Sequence, residues 1–454
     1  PHPLTLHGLT SAKIPFFQAQ FPTHSSYFSD VPMFRPLVTD SADFAYLRTR
    51  SAFYVDKTGF IRDWWRRLNR VTLLLRPHGF GKSLTANTLE RFFSLRYSDQ
   101  ENLFSGLSVW QDDKTRAAAG RYPVLALSFA DWTGASFKEQ LTIIRRYFLR
   151  LLEQHPCLTE SSLISDTLRR FFSDFGEQSS VADIQYFLQW LCRALEQYFG
   201  VKPIIVLDDY DTPFLHAWRH RYVKDMALFM DPLMGLTFKS TQSLSRAVIF
   251  STTYGCRGLD GFNHPDVITA TGSKYASDFG FTREEVSEAL RLYGLTDTSS
   301  VESRYGGFVF GESSPLVKPQ SFIRFLSQRT FTDNAVPDEL TTDLFLTACR
   351  RSDGSLYPVL QSLLVQNSLT TAVTDIVTYP DFDTNPAELL SLLLTFGLIT
   401  LTDSDAVDIS RRLYRIALPN EETRRIFREL LNTAASSPDV KTAPEFCHFK
   451  RRSF

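Results

Sequence analysis

Four short apolar runs limit the folds open to this chain: "RVTLLLR" (70–76), "YPVLALSFA" (122–130), "PIIVLDDYD" (203–211) and "RAVIFSTTYG" (246–255). Each is too short for a helix and too continuously apolar for a strand with one wet face. Such runs fit strands buried on both sides. Between them lie amphipathic stretches at helical spacing, notably "SLTANTLERFFSL" (83–95), "SFKEQLTIIRRYFLRLLEQH" (136–155) and "VADIQYFLQWLCRALEQYFG" (181–200). Ser136 and Glu139 fit a capping box, and Gly200 with Pro203 ends the third stretch. Strands alternating with helices at these lengths predict an α/β core, a parallel sheet flanked by helices, over 41–295.

The texture changes further on. Residues 1–40 lack periodicity and read as an arm. From 296 to 435 helices dominate, closing on "PAELLSLLLTFGLITLTDSDAVDISRRLYRIALPNEETRRIFRELL" (386–431), which reads helix, strand, loop, strand, helix, a winged-helix-like unit. Residues 436–454 read as a tail.

Composition excludes several classes. A chain of 454 residues with 43% apolar and 22% charged residues is long enough for large cores, and its 39 Phe predict aromatic ones. The formal charge of −1 gives no global pull toward nucleic acid or anionic membrane. Five isolated cysteines without CxxC pairing argue against a disulfide framework or zinc site and for a reducing, intracellular setting. The longest apolar run, 389–401, is too short to span a bilayer.

The strand at 71–75 runs into "RPHGFGKSL" (76–84) and then a helix. Gly81-Lys82-Ser83 is the terminal half of a phosphate-binding loop, the Walker A pattern, although Arg76 stands where such loops open with glycine. Backbone N–H groups and a helix N-terminus would face the anion, so Arg76, Pro77, His78, Gly79, Phe80, Gly81, Lys82, Ser83 and Leu84 are the candidate nucleotide-binding residues. Lys82 would reach the β- and γ-phosphates, and Ser83 would ligate Mg2+.

The acidic partner, of Walker B type, is "IIVLDDYD": Asp208 would hold the metal and Asp209 would orient the attacking water. Thr252, at the tip of a neighbouring strand, is the candidate sensor of the γ-phosphate, and Arg257 the candidate arginine finger. The catalytic set is then Lys82, Asp209, Thr252 and Arg257, with ATP and Mg2+ bound.

These residues together resemble the AAA-ATPase-like family of P-loop NTPases (AAA/STAND-like), often fused to a C-terminal nuclease of the PD-(D/E)XK type. The resemblance rests on Tyr54-Val55-Asp56-Lys57-Thr58, on Arg76-Pro77-His78-Gly79-Phe80-Gly81-Lys82-Ser83, on "YPVLALSFA" and on "VLDDYDTP" (206–213). It extends through "YASDFGFTREEV" (275–286) and "LPNEETRRIF" (418–427). It implies that Arg76 is the family's own variant of the loop opening.

Three departures mark a divergent member. Asp209 stands for the family's Glu. Arg304-Tyr305-Gly306-Gly307-Phe308 stands for Trp-Tyr-Asp-Gly-Tyr, and Lys318-Pro319-Gln320-Ser321 for Asn-Pro-Trp-Ser. After residue 432 no Asp followed by Glu-x-Lys is found, so no nuclease is expected in this stretch.

Two functions remain open: an ATP hydrolase that couples nucleotide state to domain or partner rearrangement, and a catalytically weak NTPase-fold scaffold within a larger assembly. The partners expected are nucleotide and either another protein or a second copy of the chain. Nucleic acid is the weaker candidate, and no membrane is expected.

Overall fold

The computed structural model describes residues 34–255, 262, 264–331, 337, 339–351, 356–374, 376–379, 388–402, 407–408 and 412–440. Most of the expected arm, the expected arginine finger Arg257 and most of the expected tail lie outside the described residues.

The expected parallel sheet is present. Strands β1 (Val71–Leu75), β2 (Val124–Ser128), β3 (Ile204–Asp208), β4 (Arg246–Ser251) and β5 (Asp266–Ile268) lie in the order β2-β3-β4-β1-β5, and every neighbouring pair is parallel. Every residue of β1 and β3 is buried, because helices cover both faces; that is why these strands read as unbroken apolar runs. The edge strand β2 has an exposed residue at its centre. Strand β5 is an addition to the expected set, three residues long and carrying an Asp, so no apolar run announces it.

Pairing register decides what gathers at the C-terminal edge. Leu75 of β1 lies opposite Ser251 of β4, and Ser128 of β2 opposite Asp208 of β3. The loop after β1, the acids after β3 and the hydroxyls after β4 therefore emerge side by side, where open α/β sheets bind ligands.

The helices start and stop as their ends dictate. Lys82–Phe93 leaves the loop after β1 with Gly81 as its left-handed N-cap, φ 89°. Val181–Phe199 opens on a full capping box between Ser180 and Asp183 and closes at Gly200, φ 70°. Phe137–Glu153 departs from expectation in one detail. Ser136 accepts from the Glu139 N–H, but the Glu139 carboxylate takes the N–H of Ala135 rather than that of Ser136, so only half of the box forms. Val223–Met234 continues as a π-turn over Gly235–Ser240.

Beyond residue 295 the described helices are Thr298–Tyr305, Pro319–Gln328, Glu339–Arg351, Leu356–Val365, Glu388–Thr395 and Glu421–Ser436. The closing order is as read: helix 388–395, strand β7 (Thr400–Leu401), strand β8 (Leu413–Ala417), helix 421–436. A third strand from outside that stretch, β6 (Leu369–Ala372), pairs antiparallel with β8 in the order β6-β8-β7.

The main apolar core crosses residue 295 without a break, since Phe308, Phe310 and Leu316 join the same cluster as the sheet residues Leu73 and Ile249. A second cluster ties Phe53 to Phe281, Leu290, Tyr305 and Phe322. Cys157, Cys192 and Cys349 are free thiols. Among the described residues no helix is long and apolar enough to cross a membrane.

Candidate functional site

The chain leaves β1 along β4, with the Arg76 N–H donating to the Ser251 carbonyl at 3.1 Å. The Arg76 side chain turns inward and is 1% exposed. Its guanidinium donates to the carbonyls of Leu75 (2.9 Å), Thr269 (2.7 Å), Lys274 and Tyr275 (both 3.4 Å), and lies 4.7 Å over the Phe310 ring. Burial pushes its pKa down to about 10, opposed by the Asp278 carboxyl. Of Arg76, only the backbone faces the loop.

Gly79 (φ 83°) and Gly81 (φ 89°) hold the left-handed turns that wrap the loop. Phe80 between them points into the core, 2% exposed, edge-on to Phe308 at 5.0 Å and to Phe310 at 5.3 Å. Lys82 folds its ammonium back into the loop and donates to the carbonyls of Arg76 (2.6 Å) and Pro77 (3.1 Å) and to Thr252 Oγ1 (3.3 Å). Burial lowers its pKa, and the carboxylates of Asp211, Asp208 and Asp209 oppose that fall.

The acids follow from strand register. Asp208 ends β3, is 7% exposed, and accepts from the Ser83 hydroxyl and from the Asp209 N–H at 3.0 Å. Burial raises its pKa; Ser83 and Lys82 pull it back. Asp209 sits in the left-handed region, φ 54°, with Ser128 Oγ donating to its Oδ2 at 3.2 Å. Burial, and then the Asp208 carboxylate, push it up to about 6. Asp is among the side chains best tolerated at such a backbone.

Thr252 is buried between the loop and the acids, its hydroxyl 3.1 Å from His78 Nε2 as well as 3.3 Å from Lys82. Sequence reasoning passed over what holds it. Asp211, 6% exposed, accepts from Thr252 N (3.2 Å), Thr253 N (2.8 Å), Thr253 Oγ1 (2.8 Å) and the Tyr379 hydroxyl (3.2 Å). Asp211 and Ser128 carried a signal, a third acid after β3 and a hydroxyl ending β2. Tyr379 carried none, lying 168 residues from Asp211 in the chain.

A pocket of about 440 Å³ opens over the loop and Asp209, while Asp208 and Thr252 lie behind its lining. It is lined by the loop from His78 to Thr85, by Asp209, by Pro319 and Gln320, and by apolar side chains including Val38, Val55 and Phe281. That size and mixture suit a ligand with a charged end and a flat apolar end. Among the described residues no group of three or more His, Cys, Asp or Glu is placed to hold a metal by protein ligands alone.

A family model described as a predicted AAA-ATPase matches residues 40–253. Over this segment the chain is similar to the AAA-ATPase-like family. The match takes in the loop, both acids and Thr252, and supports nucleotide binding by a P-loop fold. No curated protein matches the chain. Tyr54, Val55, Lys57 and Thr58, inside the matched segment, also line the pocket, and Asp56 between them accepts from the Thr58 N–H (2.9 Å), the Thr58 hydroxyl (2.6 Å) and the Ser108 N–H (2.7 Å). Lys57 pairs with Glu285 at 2.8 Å. Gln320 and Tyr379 reach the site from beyond the segment.

Proposed function

We propose that the chain binds ATP with Mg2+ in this pocket and hydrolyses it, and that nucleotide state changes how residues 296–435 sit against the loop. The observation that carries the reading is the convergence of Lys82, Thr252, Asp208 and Asp209 at one edge of the sheet, with Lys82 and Asp209 lining the pocket.

The loop amides would receive the phosphates at the N-terminus of helix 82–93. Lys82 would exchange its two carbonyl partners for phosphate oxygens. The Ser83 hydroxyl and the Asp208 carboxylate form a donor set that fits Mg2+, which takes few protein ligands and completes its shell with waters and substrate phosphates. When bound, the ion would neutralise charge developing on the β- and γ-oxygens. Asp209, steadied by Ser128, would orient the attacking water and accept its proton. Thr252 would touch the γ-phosphate. Arg257 retains its assignment as arginine finger in this proposal.

We read 41–295 as the nucleotide-binding part and 296–435, with its winged-helix-like end, as the part that meets a protein partner or a second copy, inside the cell. Steady-state phosphate release by the purified chain with ATP and Mg2+ tests the reading, and release no faster than from the Lys82→Ala variant overturns it. The second reading, a scaffold with little turnover, draws on Asp209, whose side chain is one methylene shorter than Glu. Tight nucleotide binding without phosphate release would select it.

A further inference from the structure

A piece of the C-terminal half continues the polar tip of β4. Gly255 and Thr378 form a parallel bridge, with the Tyr254 N–H donating to the Val377 carbonyl (3.0 Å) and the Tyr379 N–H to the Gly255 carbonyl (3.0 Å). This pairing drives Tyr379 into the interior, fully buried, with its hydroxyl 3.2 Å from Asp211 Oδ2. The same Oδ2 accepts both hydrogen bonds from Thr253, and Oδ1 holds the Thr252 N–H at 3.2 Å. Thr252 Oγ1 then meets Lys82 Nζ at 3.3 Å. One unbroken relay runs from the phenol through a carboxylate and a threonine to the ammonium of the loop.

We propose that Tyr379 is a positioning residue: through Asp211 it fixes Thr252 where it can distinguish a nucleoside triphosphate from a diphosphate. This rests on the nucleotide reading above and adds to it a readout from outside the family segment. Asp211 has three donors without the phenol, so losing that hydroxyl leaves it hydrogen-bonded and frees only its orientation. The phenol stays protonated, since burial holds its pKa far above the ordinary range, so it acts as a fixed donor.

The test is calorimetry with Mg2+ and two probes, ADP and adenylyl imidodiphosphate, on the parent, Tyr379→Phe, Thr252→Val and the double variant. Tyr379→Phe should leave ADP affinity within about twofold and lower the preference for the triphosphate about fivefold, less than the full worth of a hydrogen bond to a carboxylate because Asp211 keeps three other donors. The double variant should be no worse than Thr252→Val, because both changes break one relay. The proposal is overturned by a parent without triphosphate preference, by an unchanged preference in Tyr379→Phe, by penalties that multiply in the double variant, or by equal loss of both nucleotides with a lowered Tm. A parent that binds neither nucleotide overturns the nucleotide reading as well. A parent that binds both, with Tyr379→Phe indistinguishable from it, overturns the Tyr379 role alone.

Discussion

The backbone N–H of Gln320 donates to the carbonyl of Gly79 at 3.2 Å, joining the phosphate loop to the start of helix 319–328. A side chain at Gly79 would meet only the flexible ends of Lys318 (Cε, 2.7 Å) and Gln320 (Oε1, 2.8 Å), so the left-handed φ of 83° is what calls for glycine there. Next along, Ser321 donates to Glu422 Oε2 at 2.8 Å, and Asn420 Nδ2 donates to the Gly306 carbonyl at 2.7 Å. The stretches 304–308, 318–321 and 418–422, far apart in the chain, thus meet behind the loop.

Lys82→Ala should abolish nucleotide binding, with affinity falling more than about a hundredfold as the site loses its buried point charge. Calorimetry checks it. Because the change leaves the buried carboxylates of Asp208, Asp209 and Asp211 without their facing cation, the Tm should fall, and circular dichroism at the assay temperature checks that the variant is still folded when binding is lost.

Asp209→Asn should keep nucleotide affinity and lower phosphate release by about a hundredfold or more, the usual worth of a general base. Asn accepts the left-handed backbone at this position. Stability supplies an independent check. The folded state raises the Asp209 pKa to about 6, so it holds the proton more tightly than the unfolded chain does. The neutral form therefore favours folding at low pH, and that benefit is lost as pH rises from about 4 through about 6. At pH 8 the variant should be more stable than the parent by about 1 kcal/mol, discounted for partial exposure, and the gain should vanish below about pH 4. Urea titrations across pH measure it.

Phe80→Ala should destabilise the protein by about 3–5 kcal/mol, since the ring is lost from a packed site between Phe308 and Phe310. Because Phe80 lies within the loop, nucleotide affinity should fall along with the urea midpoint, which links the two halves in one measurement.

Gly307→Ala should cost about 2 kcal/mol or more. A Cβ there would collide with the Pro419 carbonyl, and the backbone at φ 81° disfavours any other residue. Helix 421–436 follows Pro419 directly, so hydrogen exchange should show it opening first.

What was legible follows from how local each determinant is. Strands β1, β3 and β4 declared themselves because burial on both faces demands unbroken apolar residues. Lys82, Ser83 and Asp208 were readable because strand, turn and helix place them within a few residues of one another along their own segments. Strands β5 and β6 were not, being three and four residues long and partly exposed. Nor were the roles of Asp211 and Tyr379, which depend on a single bridge between Gly255 and Thr378 that no periodicity encodes. The fate of the Arg76 side chain was equally hidden, since its partners Thr269 and Lys274 lie on the far side of β5.

That inward arginine changes what repair of the loop would mean. Someone aligning this stretch with better-known nucleotide loops would be tempted to restore glycine at 76. The swap would leave four carbonyl oxygens facing a void where a planar cation had been, and would take away the plate on which Phe310 rests. The deviation at the head of the loop is a keystone, and conforming to the common pattern would loosen the arch.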